Sequence, residues 1–207
     1  LTVCMGVNQG DYDPARHHLL SAASCTTNCL VPTVHILHQA FGLRRGLLNT
    51  IHSYNNDQRL LDYPHRDPRR ARAAALNMIP TTTSAVAALG RVLPELDGRL
   101  RGFAVRVPTP NVSLIDLAAG LEAEPSLEEV KQTFRRAADG PLEGILGVTD
   151  EELVSFDFLG DTRSAIVDLP LIQEVDHRLF RVVAWYDNEW GHASRLAELL
   201  ELAGSAP

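Results

Sequence analysis

The segment VSLIDLAAGLE at 112–122 constrains the fold most, because it is largely apolar on both of its alternating faces. Val112, Leu114 and Ala118, interrupted by Asp116, stand against Ser113, Ile115 and Leu117. A strand patterned this way is expected to be covered on both sides. GFAVRVP at 102–108 reads as a second strand and RGLLNTIHSY at 45–54 as a third. Further strands are expected near 2–8, 152–158, 163–168 and 179–186. The best-marked helix is 127–138, where Ser126 and Glu129 form a capping box and Asp139-Gly140 a stop. Others are expected at 25–40, from the cap Ser24 to Gly42 with Pro32 distorting it, and at 84–92 and 189–203. Strands and helices mix without strict βαβ alternation, so the class is α+β, in one domain.

Bulk properties narrow the function classes. The chain has 207 residues, 45% hydrophobic and 22% charged, which is ordinary for a globular protein with a real core. A formal charge of −7 leaves no basic surplus for a general nucleic-acid binder. No apolar run is long enough for a membrane span. Three cysteines, Cys4, Cys25 and Cys29, are too few for a secreted disulfide scaffold, so a reducing, cytoplasmic setting is expected. The opening LTVCMGV, without an initiator Met, is expected of a chain that starts in mid-fold.

Chemistry concentrates in SAASCTTNC at 21–29. A cysteine at the first turn of a helix sits in the field of the helix dipole beside free N–H groups, and both favour the thiolate. The other reading of Cys25 is a small buried side chain. Cys29, one turn deeper, reads as packing. Zinc binding by these cysteines with His17 and His18 lacks any familiar ligand spacing, and no metal is expected. His52, on the strand LLNTIHSYN, gains meaning only if it meets Cys25 in space, where an imidazole would supply a base or acid. Thr26, Thr27, the triplet Thr81-Thr82-Thr83, Arg69, Arg70 and Arg106 are candidate anion groups. The segment 55–72, with Arg59, Arg66, Arg69 and Arg70, is a loop long enough to suggest function.

SAASCTTNCL, IHSYNNDQRLLDYPHRDPRRARAAALNMIP, ELDGRLRGFAVRVPTPNVSLIDL and AWYDNEWG occur in this order. Together they resemble successive segments of the glyceraldehyde-3-phosphate dehydrogenase family over essentially the whole chain. That resemblance implies a catalytic domain over 1–207, with a mixed, largely antiparallel sheet covered by helices. It implies Cys25 as the nucleophile that forms a thioester and His52 as its base. It also implies a phosphorylating oxidation of a sugar-phosphate aldehyde, glyceraldehyde 3-phosphate, with NAD or NADP as hydride acceptor. Two anion pockets follow, for substrate phosphate and for inorganic phosphate, with Ser24, Thr26, Asn55, Arg70, Thr83, Ser84 and Arg106 as candidates. Arg69 competes with Arg70, and Asn188 matches the asparagine that fixes the nicotinamide carboxamide. A homotetramer is the implied assembly, with the 55–80 loop near a neighbour's cofactor site.

No G-x-G-x-x-G follows a strand, so the family's Rossmann domain is absent from this sequence. The chain alone is therefore expected to bind NAD weakly and turn over little. Asn55 stands in place of the usual threonine, Ser84 in place of a glycine and His192 in place of a tyrosine. An erythrose 4-phosphate dehydrogenase is the nearest alternative. A Cys25–His52 hydrolase and a non-catalytic binding or oligomerisation domain are the readings from other classes.

Overall fold

The structure is a computed structural model and describes residues 1–205. Its first long element, α1 (Cys25–Phe41), starts where the sequence places it. Ser24 is extended at φ −130° and its hydroxyl accepts from the Thr27 N–H at 3.2 Å. Gly42 ends the helix at φ +70°, a conformation that favours glycine, with its N–H bonded to the His38 carbonyl at 2.9 Å. The helix runs through Pro32 without an assigned break.

The strands are β1 (Leu43–Ser53), β2 (Ile79–Thr81), β3 (Leu100–Val107), β4 (Ser113–Leu121), β5 (Leu146–Thr149), β6 (Ala165–Asp168), β7 (Gln173–Glu174) and β8 (Leu179–Tyr186). They form one mixed sheet in the order β2-β3-β1-β4-β8-β6-β5, with β7 pairing on β8. β1 with β3 and β5 with β6 are parallel; the remaining pairs are antiparallel. A parallel pair needs a crossover, and α2 (Ala85–Val92) lies within the one from β1 to β3. At Gly102 of β3 an added Cβ would sit 2.5 Å from the Leu48 carbonyl oxygen, so the close approach of these strands requires glycine.

α3 (Leu127–Ala138) carries the expected capping box: the Ser126 hydroxyl accepts from Glu129 N–H and the Ser126 N–H donates to the Glu129 carboxylate at 2.7 Å. Its buried residues Val130, Phe134 and Ala137 recur at helical spacing and join the main core. α4 (Trp190–Gly204) closes the described chain. Leu30, Val34 and Leu37 of α1 meet Leu48, Leu117 and Val182 of the sheet in that core. Among the described residues no helix is long and apolar enough to cross a membrane.

Three expectations are corrected. β4 is not covered equally: Ile115 and Leu117 are fully buried, whereas Leu114, Asp116 and Ala118 are half-buried on an open face. On that face Asp116 pairs with Arg181 at 2.7 Å, and Leu47 and Phe103 stay exposed. The run at 2–8 is a turn with a single bridge between Thr2 and Ser21, because its N–H groups bond locally to Cys4 and to Ser21. The run at 152–158 folds as a 3-10 turn, Ser155–Phe158, capped by Asp157, with only Phe158 buried, stacked on Trp185 at 5.2 Å. The strand pairing in this region is instead β5, upstream.

Urea unfolding should separate cap from core on α3. Ser126→Ala is expected to cost about 1 kcal/mol, and Phe134→Ala about 3–5 kcal/mol from the cavity it leaves. Equal losses would contradict this placement.

Candidate active site

The chain arrives at α1 through Ala23, at φ +58°, an uncommon conformation for a residue with a side chain. That turn sets Cys25 at the first position of the helix, partly buried. His52 comes from the end of β1 and is 6% exposed. Its Nε2 stands 3.5 Å from Cys25 Sγ and its Nδ1 2.7 Å from the Ser53 carbonyl oxygen. A carbonyl only accepts, so the Ser53 contact favours a proton on Nδ1, which would turn the Nε2 lone pair to the thiol, whereas the Arg106 guanidinium, a donor only, competes for the same Nδ1. Arg106 is paired with His52 across the β1–β3 ladder; its Nη1 donates to the same Ser53 carbonyl at 3.1 Å and abuts Nδ1.

Burial dominates the electrostatics. It pushes the Cys25 thiol up, against the N–H and hydroxyl of Thr26 and the charge of Arg106, which pull it down. It pushes His52 down to about 4, with help from Arg106 and against the Ser53 carbonyl. The low thiol pKa expected from the helix terminus is therefore opposed, and each group is held neutral near pH 7. A proton passed from Sγ to Nε2 would place opposite charges 3.5 Å apart.

One cavity of about 500 Å³ collects Ser24, Cys25, Thr26, His52, Asn55, Arg70, Thr83, Ser84, Arg106 and Asn188. Arg70, not Arg69, faces it; Arg69 lines a separate depression with Phe103. Arg70 is held by Thr81 Oγ1 at 2.7 Å and by the Asp57 carboxylate at 2.7 Å. Thr83 Oγ1 accepts from Ala85 N–H at 3.2 Å at the start of α2, beside the exposed Ser84. Asn55 Oδ1 is occupied by the Asp57 N–H at 3.0 Å. Thr27, by contrast, turns its hydroxyl to Ser24 at 2.7 Å, away from this cavity. Asn188 Oδ1 accepts from Ser53 Oγ at 2.9 Å and Ser113 Oγ at 2.8 Å. His192 lies half-buried beside Asn28, its Nδ1 3.5 Å from the Asn28 amide nitrogen. Among the described residues no three His, Cys, Asp or Glu side chains come together as a metal site.

Sequence reasoning missed four contributors. The Tyr186 hydroxyl is buried between Thr26 Oγ1, at 2.8 Å, and Thr50 Oγ1, at 3.0 Å, and so ties the start of α1 to β1. Its ring meets His52 edge-on, with centroids 6.0 Å apart. Asp187, also unremarked, sits in the WYDNEW segment next to Asn188, and that proximity was the available signal. Asp57 and Ser113 carry no local pattern that marks them.

Two measurements follow. Alkylation of Cys25 by iodoacetamide at pH 7 should slow at least about tenfold in His52→Asn, which keeps a donor for Ser53 but loses the proton acceptor; an unchanged rate would contradict the pairing. His52 is depressed on folding, so its contribution is full above the unfolded value of about 6.5 and is lost as pH falls through about 4. Acid unfolding should show up to about 3 kcal/mol lost across that window, and less in His52→Asn.

The comparisons with known proteins agree with this geometry. The family model described as glyceraldehyde 3-phosphate dehydrogenase, C-terminal domain, matches residues 24–188. Glyceraldehyde-3-phosphate dehydrogenase of Geobacillus stearothermophilus is 54% identical over 96% of this chain and 59% of its own length. A second relative, glyceraldehyde-3-phosphate dehydrogenase 1 of Bacillus cereus, is 53% identical over 96% of this chain and 60% of its own. That of Streptomyces coelicolor is 49% identical over 99% and 61%. The chain thus spans about three-fifths of the length of the curated relatives it matches. With Cys25, His52 and the arginines gathered in one cavity inside the matched segment, the chain belongs to the glyceraldehyde-3-phosphate dehydrogenase family.

Proposed function

We propose that this chain forms the chemical centre of a phosphorylating aldehyde dehydrogenase that acts on glyceraldehyde 3-phosphate. The observation that carries the reading is a thiol 3.5 Å from an imidazole nitrogen in a cavity that also holds two guanidinium groups.

His52 Nε2 takes the thiol proton as Sγ bonds to the aldehyde carbon, and the carbonyl electron pair moves to oxygen. The resulting Nε2–H and the open N–H groups at the first turn of α1 support that oxyanion. When bound, the nicotinamide of NAD or NADP supplies the hydride acceptor for oxidation of the Cys25 adduct. Asn188 suits the carboxamide of such a group, because its oxygen is already engaged by two serines and its amide nitrogen has no partner among the described residues. Inorganic phosphate then attacks the Cys25 thioester; the C–S bond breaks and Sγ leaves as thiolate, to be reprotonated from His52. Arg70 and Arg106 hold phosphate groups through charge-assisted bonds, with hydroxyls of Thr26, Thr83, Ser24 and Ser84 around them.

The chain serves in this proposal as one catalytic domain, with the dinucleotide-binding part supplied by the remainder of the relatives' length. The exposed Leu47 and Phe103 on the open sheet face, and Leu60, Leu61 and Tyr63 on the long loop, support a homotetramer. Three free cysteines support a cytoplasmic setting.

The acyl-transfer half reaction tests this without a nicotinamide. Incubation with the acyl phosphate of 3-phosphoglycerate should leave an acyl mass adduct on Cys25. The adduct should be absent in Cys25→Ser and form at least about a hundredfold more slowly in His52→Asn. No adduct, or one shared with Cys4 and Cys29, would contradict the proposal.

A further inference from the structure

Asp187 is a carboxylate 1% exposed, with no cation paired to it among the described residues. Four neutral donors hold it instead. Asn111 Nδ2 lies 3.0 and 3.1 Å from its two oxygens, and Gly160 N–H is at 2.8 Å. The Glu189 and Trp190 N–H groups, both at 2.9 Å, come from the start of α4. The carboxylate therefore caps an open helix end while joining the β3–β4 connection and the loop around 160.

The donor Asn111 belongs to an elbow with a cost of its own. Val112 is buried at φ +65°, a genuine outlier for a β-branched residue. Its N–H is taken by the Asn111 side-chain oxygen at 2.7 Å. Such strain persists where the surroundings over-determine it, and the elbow shows how. On one side Asn111 reaches Asp187; on the other Ser113 accepts from Ser53 N–H at 3.1 Å and donates to Asn188 Oδ1 at 2.8 Å. Both arms of one strained tripeptide thus converge on the dipeptide Asp187–Asn188.

We infer that Asp187 and the Asn111–Val112–Ser113 elbow are positioning residues for Asn188, fixing its carboxamide with the oxygen engaged and the amide nitrogen presented to the cavity. That this nitrogen serves a nicotinamide carboxamide rests on the proposed function; the positioning itself does not. Hydroxyl donation decides which end of the amide faces inward, because Ser113 Oγ already accepts from a backbone N–H and has its proton left to give. Asp187→Asn would set an NH2 group against donors and loosen the dipeptide at its base.

The side-chain amide resonances of Asn188 in a 15N-labelled chain, assigned by their loss in Asn188→Ala, read the positioning directly. The native chain should show two resolved protons displaced from free-asparagine positions. In Asp187→Asn they should collapse toward those positions while unfolding remains cooperative; unmoved resonances would overturn the inference. If Asp187→Asn fails to fold, Asn111→Ala, which removes one donor to Asp187 and the acceptor of the Val112 N–H, should give the same collapse, with unmoved resonances again overturning it. Free nicotinamide, followed by ligand-observed NMR, should bind about tenfold more weakly to Asp187→Asn, the worth of one hydrogen bond. Affinity for nicotinamide unchanged in Asn188→Ala would defeat the cofactor reading alone, and the amide resonances would still decide the positioning.

Discussion

The parallel pairing of β1 with β3, in the register that sets His52 beside Arg106, is the constraint on which the rest of the site depends. Parallel strands cannot be joined by a tight turn, so the chain between them must leave the sheet and return. That excursion is used: it carries Asn55, Asp57, Arg70, Thr83 and Ser84, and brings them back over the same edge where β1 ends. Antiparallel β4 and β8 on the other flank then deliver Ser113 and, just past the strand end, Asn188. One sheet edge thereby gathers residues separated by well over a hundred positions. α1, packed across the sheet, points its first turn at the same edge.

Burial gives this site both its reach and its restraint. Enclosing Cys25 and His52 raises the cost of charging either one alone, so the pair is quiet until a proton moves between them. The enclosure also strengthens the attraction once both are charged. Arg106 biases the balance by favouring thiolate and disfavouring imidazolium, while the Ser53 carbonyl favours a proton on Nδ1. A buried Tyr186 hydroxyl, bonded to Thr26 and Thr50, ties the element bearing the thiol to the one bearing the imidazole.

Local chemistry made some of this readable in advance. Ser24 and Gly42 mark the ends of α1, and Ser126 with Glu129 marks α3, because a cap is satisfied within a few residues. β8 fell on 179–186 as expected, since its alternation is backed by real pairing on both edges. Runs 2–8 and 152–158 misled because apolar content alone does not pair a strand; their N–H groups found local partners first. Ser24, Cys25, Thr26, His52, Asn55, Arg70, Thr83, Ser84, Arg106 and Asn188 line one cavity, while Thr27, Thr81 and Arg69 lie outside it, a distinction that local pattern could not show. The choice between Arg69 and Arg70 required β2, whose Thr81 anchors Arg70. Asp187 reaches Asn111 and Gly160, and Tyr186 reaches Thr26 and Thr50, across long sequence separations through a few side-chain hydrogen bonds, and such roles leave no periodic trace.

The protonation state of His52 tests the central claim most directly, through 15N NMR of the histidine-labelled chain across pH. A neutral ring at pH 7, protonated at Nδ1 and bare at Nε2, with no further protonation until the pH approaches about 4, is the predicted result. A ring protonated at Nε2, or an imidazolium persisting at pH 7, would contradict the account of a buried, neutral pair that becomes charged only when the thiol gives up its proton.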